Sequence, residues 1–157
     1  MKNKLHGSVI ITYRCNAHCN MCDCFRDPSR PEEEIGTVKN IADVGFKTGD
    51  ELKSLIQNAA FAVIASEWYE NCPFSVMEAQ SYGTPVVGAN IGGVPELIKD
   101  QVTGELFESG NVKDLTDHIS QLWNEKEKQQ IYRSNCKNIE YDSIEKYCEK
   151  LLRLYNG

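Results

Sequence analysis

Long apolar runs are missing from this chain. Nowhere do the roughly 18 consecutive hydrophobic residues of a bilayer-crossing helix occur, which excludes an integral membrane protein. The run Val9-Ile10-Ile11, behind Lys2 and Lys4, is too short for the core of a signal peptide. A cytoplasmic protein is therefore expected. Basic charge is also scarce: 17 Lys and Arg against 23 Asp and Glu leave a net charge of −6. Such a chain lacks the basic footprint that neutralises nucleic-acid phosphates, so no nucleic-acid partner is expected. Repeats and low-complexity tracts are absent, and 41% hydrophobic with 25% charged residues is ordinary globular usage. At 157 residues there is material for about one domain, which excludes an enzyme built from two full ones.

Cysteine is not scarce. Of seven, Cys15, Cys19, Cys22 and Cys24 fall within ten residues, a clustering that points to metal in a cytoplasmic chain rather than to disulfides. Cys72, Cys136 and Cys148 are isolated and read as small buried or half-buried apolar residues. The cluster belongs to a segment, 1–34, that carries five basic and five acidic side chains and ends in Pro31-Glu32-Glu33-Glu34. The whole acidic excess lies in 35–157. Two unlike pieces are therefore expected, a cysteine-rich extension over 1–34 and a folded unit over 35–157.

The second piece alternates short apolar runs with amphipathic ones. Strands are predicted at Ala42–Phe46, Phe61–Ala65, Pro85–Ala89 and Gly104–Phe107, and in the first piece at Ser8–Tyr13. The unbroken run Phe61–Ala65 is that of a strand covered on both faces. Helices are predicted over Glu51–Ala60 with Asp50 as cap, Phe74–Tyr82 with Gly83 as stop, Pro95–Lys99 and Val112–Asn124. Ile144, Tyr147, Cys148, Leu151, Leu152 and Tyr155 predict a closing amphipathic helix. Glu125–Lys128 reads as a solvated connection, and His6 and His118 have no recognisable partners. Alternating strands and helices imply an α/β fold, a parallel sheet flanked by helices. Ligands bind such sheets at the carboxyl ends of strands, here the loops after Ala65 and Ala89.

The stretch Ser66-Glu67-Trp68-Tyr69-Glu70-Asn71-Cys72-Pro73-Phe74-Ser75-Val76-Met77-Glu78 follows a buried strand and opens a helix. Glu70 lies in the loop and Glu78 about one turn inside the helix. The free N–H groups near Phe74 and Ser75 attract phosphate, and a nearby carboxylate accepts hydroxyl hydrogen bonds. Together they suit a ligand carrying both phosphate and sugar hydroxyls. On the alternative reading, Glu70 and Glu78 are only solvated charges, and Trp68 and Tyr69 either line the site or pack as ordinary aromatics.

This stretch resembles the Glu-x7-Glu motif of family 4 glycosyltransferases, retaining enzymes of the GT-B fold. Gly83-Thr84-Pro85-Val86-Val87 and Gly92-Gly93-Val94-Pro95-Glu96-Leu97-Ile98 are similar to that family's next two elements, in order. The resemblance runs from about Asn40 to the C-terminus. It implies the Rossmann-like donor half of a GT-B enzyme, a UDP- or GDP-sugar as ligand, and transfer of the sugar to a glycan or lipid acceptor without a required cofactor. By it, Glu78 binds the ribose hydroxyls and Glu70 the donor sugar. Backbone around Asn71, Phe74 and Ser75 holds sugar and diphosphate. Pro73 departs from the glycine usual at its position and removes one N–H donor. Gly83 and Gly93 are expected as helix stop and tight turn.

Cys15-Asn16-Ala17-His18-Cys19-Asn20-Met21-Cys22 is a C-x3-C-x2-C arrangement after a strand. Three such thiolates can hold three irons of a cubane cluster. Residues Ser8–Arg30 resemble the start of radical SAM enzymes, which implies a 4Fe-4S cluster on Cys15, Cys19 and Cys22 with S-adenosylmethionine on the open iron. Zinc, with His18 or Cys24 as fourth ligand, and an empty thiol cluster are the alternatives. By the first resemblance the chain lacks an acceptor domain and the first strands of the donor domain, with the basic pair that clamps the diphosphate; Lys47 is a candidate substitute. A truncated glycosyltransferase of weak activity is thus expected. The other readings are an iron–sulfur protein, and a non-catalytic subunit whose sheet edge pairs with a partner chain.

Overall fold

A computed structural model describes residues Ser8–Ile11 and 47–157. Four strands form one parallel sheet in the order β1-β2-β3-β4. They are β1 (Ser8–Ile11), β2 (Ala59–Ile64), β3 (Val86–Ala89) and β4 (Gly104–Phe107). Between and after them run α1 (Gly49–Asn58), α2 (Phe74–Ser81), α3 (Val94–Leu97), α4 (Val112–Asn124), α5 (Lys126–Cys136) and α6 (Ile144–Tyr155). The expected strand at Ala42–Phe46 and the cysteine cluster lie outside the described residues.

Alternation along β2 explains its unbroken apolar run. Ala62 and Ile64 face a core made with Ile56 of α1, Val76 and Ala79 of α2, Val86 of β3, Val94 of α3 and Ile98. Ala60, Phe61 and Val63 face a second core with Val87, Ala89, Phe107, Leu122 of α4 and Tyr132 of α5. With helices on both faces, every β2 side chain is buried, and a full apolar side chain gains about 1.5–3 kcal/mol from such burial. Registers Val63↔Val87 and Val87↔Glu105 carry the second face across the sheet. Gly104 permits this pairing, since a Cβ there would stand 2.0 Å from the Val86 carbonyl oxygen.

Gly83 stops α2 as expected. At φ +75 it takes the left-handed conformation. Its N–H donates to Gln80 and the Thr84 N–H to Ala79, the paired bonds of a Schellman end. Two helix starts shift relative to expectation. Helix α1 begins at Gly49 after an extended Thr48, no side chain caps it, and Asp50 lies inside its first turn, where a carboxylate still meets the positive helix end. Pro95 sits within the first turn of α3, which starts one residue earlier than expected.

Three expectations are overturned. Glu125–Lys128 is no solvated connection: Lys126 opens α5, and Lys128 Nζ lies 2.6 Å from the buried Glu105 carboxylate. His118 has a partner, its Nδ1 being 2.7 Å from the other Glu105 oxygen. Cys72 and Cys148 are exposed, and only Cys136 is buried, its thiol pushed up to about 11 by burial. Strand β1 also bears on the sheet edge. It pairs in parallel with β2 from Ser8↔Ala59 to Ile11↔Val63, so β2 is an inner strand. Helix α6 is amphipathic, but none of its residues is buried.

Candidate functional site

The carboxyl ends of β2, β3 and β4 bring three loops together: 65–73, 90–93 and 108–111. Two glycines allow the first pair to touch. Gly92 takes φ +57, and a Cβ on it would stand 2.7 Å from the Glu70 carbonyl oxygen. A Cβ on Gly93 would lie 2.1 Å from the Asn71 carbonyl oxygen. The Gly93 N–H donates to the Glu70 carbonyl at 2.7 Å, which fixes the backbone of that residue. Gly92 is therefore the tight-turn residue; Gly93, expected in that role, has an ordinary φ of −82 and serves close approach.

The Glu70 side chain is held as well. The Ser66 hydroxyl donates to Glu70 Oε1, and the Ser109 hydroxyl donates to the Ser66 carbonyl at 3.3 Å, joining the third loop to the first. That third loop is itself braced. Asn111 caps α4 by accepting from the Asp114 N–H at 3.0 Å, and the Glu108 N–H donates to the Asp114 carboxylate at 2.7 Å. Neither serine stood out in the sequence; the only signal was Ser66 standing four residues before Glu70.

Helix α2 leaves this loop directly. Pro73 precedes Phe74, and no side chain caps the helix start. The Val76 and Met77 N–H groups turn back to the Pro73 carbonyl, while no bond among the described residues takes those of Phe74 and Ser75. The positive helix end is open there. Phe74 and Glu78 stand four residues apart, one turn along the same face, and both are exposed. The Glu78 carboxylate has no side-chain partner among the described residues. Trp68 and Tyr69 are 65% and 87% exposed, so they are not packing aromatics. Lys47 lies 3.5 Å from Glu51, a neighbour one turn along α1.

Below this rim is a charged cluster between the sheet and its helices. Glu105 of β4 is 1% exposed and receives Lys128 of α5, His118 of α4 and the Tyr132 hydroxyl at 3.3 Å. Burial pushes its carboxyl up, but the hydrogen bonds and charges of Lys128 and His118 outweigh this and hold it below its ordinary value. Burial, with the Glu105 charge, pushes Tyr132 up to about 12. Every polar group here has a partner, so the cluster is structural and leaves no open position for a ligand. Among the described residues no group of three His, Cys, Asp or Glu is placed to hold a metal. Cys15, Cys19 and Cys22 lie outside them.

Comparison with known proteins gives the family and the fold. The profile of the family described as "Glycosyl transferases group 1" matches residues 23–139, and the chain belongs to that family. The match begins just past Cys22. An uncharacterized glycosyltransferase of Methanocaldococcus jannaschii is 39% identical over 71 residues, 45% of this chain and 18% of its own length. TarM of S. aureus is similar in structure with a TM-score of 0.58 and 30% identity, over 67% of this chain and 22% of that one. HepE of Anabaena, solved with UDP and glucose, gives 0.63 at 24% identity over 73% and 31%. The sheet and its helices thus have the Rossmann-like fold of a GT-B half. The matched stretches make up 18–25% of the lengths of the first curated relatives. Among the described residues no helix is long and apolar enough to cross a membrane.

Proposed function

We propose that residues 35–157 form the donor-binding part of a retaining, family 4 glycosyltransferase that takes a UDP- or GDP-sugar and serves transfer to a glycan or lipid acceptor. The observation that carries this reading is the locked junction of three strand-end loops, which fixes Glu70 in the loop that leads into an uncapped helix start. A carboxylate accepts hydrogen bonds from sugar hydroxyls, and free amides at a helix N-terminus hold diphosphate oxygens. In this reading Glu70 holds the donor sugar, and Glu78, one turn up α2, accepts from the ribose hydroxyls. The backbone of Asn71, Phe74 and Ser75 faces the diphosphate. The structure of TarM solved with UDP supports the nucleotide class. The same reading puts the protein in the cytoplasm.

Calorimetric titration with UDP, GDP and their sugars tests it. Hydrogen bonds to a charged group contribute about 1.5–3 kcal/mol, so Glu78→Ala should weaken nucleotide binding roughly ten- to hundredfold. Absence of binding at millimolar ligand, or binding indifferent to that substitution, would refute the assignment.

A further inference from the structure

The loop that carries Glu70 contains a second carboxylate, Glu67, which is exposed and makes no side-chain hydrogen bond or ion pair among the described residues. Glu70 is fixed in three ways instead. Its carbonyl accepts from Gly93, its N–H donates to the Trp68 carbonyl at 2.9 Å, and its carboxylate accepts from Ser66. Backbone and side chain are restrained by different partners, so the carboxylate is aimed rather than merely present. Ser66 is suited to aim it. It lies two residues past the end of β2, is half-buried, and has its own carbonyl tied to Ser109. The bond uses Oε1. No other donor among the described residues reaches Oε2, and an ionised carboxylate offers only acceptor sites. An incoming group must therefore be a donor.

We infer that Ser66 is a positioning residue for donor-sugar recognition: by holding Oε1 of Glu70 it presents Oε2 to a hydroxyl of the sugar, and it acts on the sugar alone and not on the nucleotide. The inference rests on the donor-site reading above and adds to it a residue that touches neither sugar nor nucleotide. Preorganisation of this kind strengthens binding by sparing the ligand the cost of ordering the side chain. Losing one such bond corresponds to roughly a tenfold change in affinity.

The experiment compares wild type, Ser66→Ala and Ser66→Thr by calorimetric titration with UDP and UDP-glucose, and in parallel with GDP and GDP-mannose. For the nucleotide that binds, Ser66→Ala should weaken the nucleotide-sugar about tenfold and the free nucleotide less than about twofold. Ser66→Thr, which keeps the hydroxyl, should restore sugar binding to within about threefold of wild type. Equal loss of sugar and free nucleotide would mean a general structural role and overturn the inference. So would an alanine variant that binds like wild type, or a threonine variant that fails to recover. In all three cases wild type still binds nucleotide and the donor-site reading stands. A wild-type protein that binds neither nucleotide overturns that reading together with this one.

Discussion

Lys128→Met isolates what holds α4 and α5 to the sheet. Methionine keeps an unbranched apolar stem and removes the charge that lies 2.6 Å from Glu105. Breaking a buried ion pair by deleting one partner typically costs about 3–5 kcal/mol, because the remaining charge is left without compensation. Two features lower that figure here. Lys128 keeps 25% of its side-chain surface in water, and His118 and Tyr132 still contact the carboxylate. The expected loss at pH 7 is about 2 kcal/mol, or roughly 6–10 °C in Tm for a domain of this size. The pH dependence gives the mechanism. Glu105 has a folded pKa below its unfolded value of about 4.5, so its contribution is present above that value and fades as pH falls through the folded one. The deficit of Lys128→Met should therefore be full at pH 7 and shrink in acid, as pH falls below about 4.5 and through the lower folded value. Urea unfolding followed by circular dichroism at pH 7 and across the acid range measures it. A deficit below about 0.5 kcal/mol at pH 7, or one unchanged in acid, would refute the view that Lys128 stabilises a buried carboxylate.

Gly93→Ala should be severe. Its Cβ would meet backbone oxygen at 2.1 Å, so the two loops must part at a cost of about 1–3 kcal/mol, and nucleotide-sugar affinity should fall with it; an unchanged melting temperature would contradict the close approach. Arg133 joins α5 to the end of α1, donating from Nη1 to the Gln57 carbonyl at 3.0 Å and from Nη2 to the Ala59 carbonyl. A lysine cannot span both, so Arg133→Lys should lose about 1–1.5 kcal/mol in chemical unfolding, and wild-type stability in that variant would show the fork to be dispensable.

Much of the scaffold is written locally. Gly104–Phe107 and Val112–Asn124 occur with the bounds that pattern alone predicts, and the Phe61–Ala65 run foretold a strand covered on both sides, because these signals depend only on neighbours in the chain. Helix α5 escaped detection for the opposite reason. Its inward residues are Gln129, Tyr132 and Cys136, and a helix that buries a glutamine lacks the aliphatic stripe by which amphipathic helices are read. Gln129 is tolerable there because its amide donates to the Leu122 carbonyl at 2.6 Å, a partner on α4. Glu105 likewise carries no local mark of burial: its partners Lys128 and His118 come to it from two helices. The Glu-x7-Glu spacing pointed to this loop and the helix that leaves it. What tertiary structure decided was which of the loop's carboxylates is aimed. The bond between Ser66 and Glu70 is local, but the contacts that fix it come from Gly93 and Ser109, 23 and 43 residues away from Glu70 and Ser66. Parallel pairing sets them side by side, and no local preference of the chain encodes that juxtaposition.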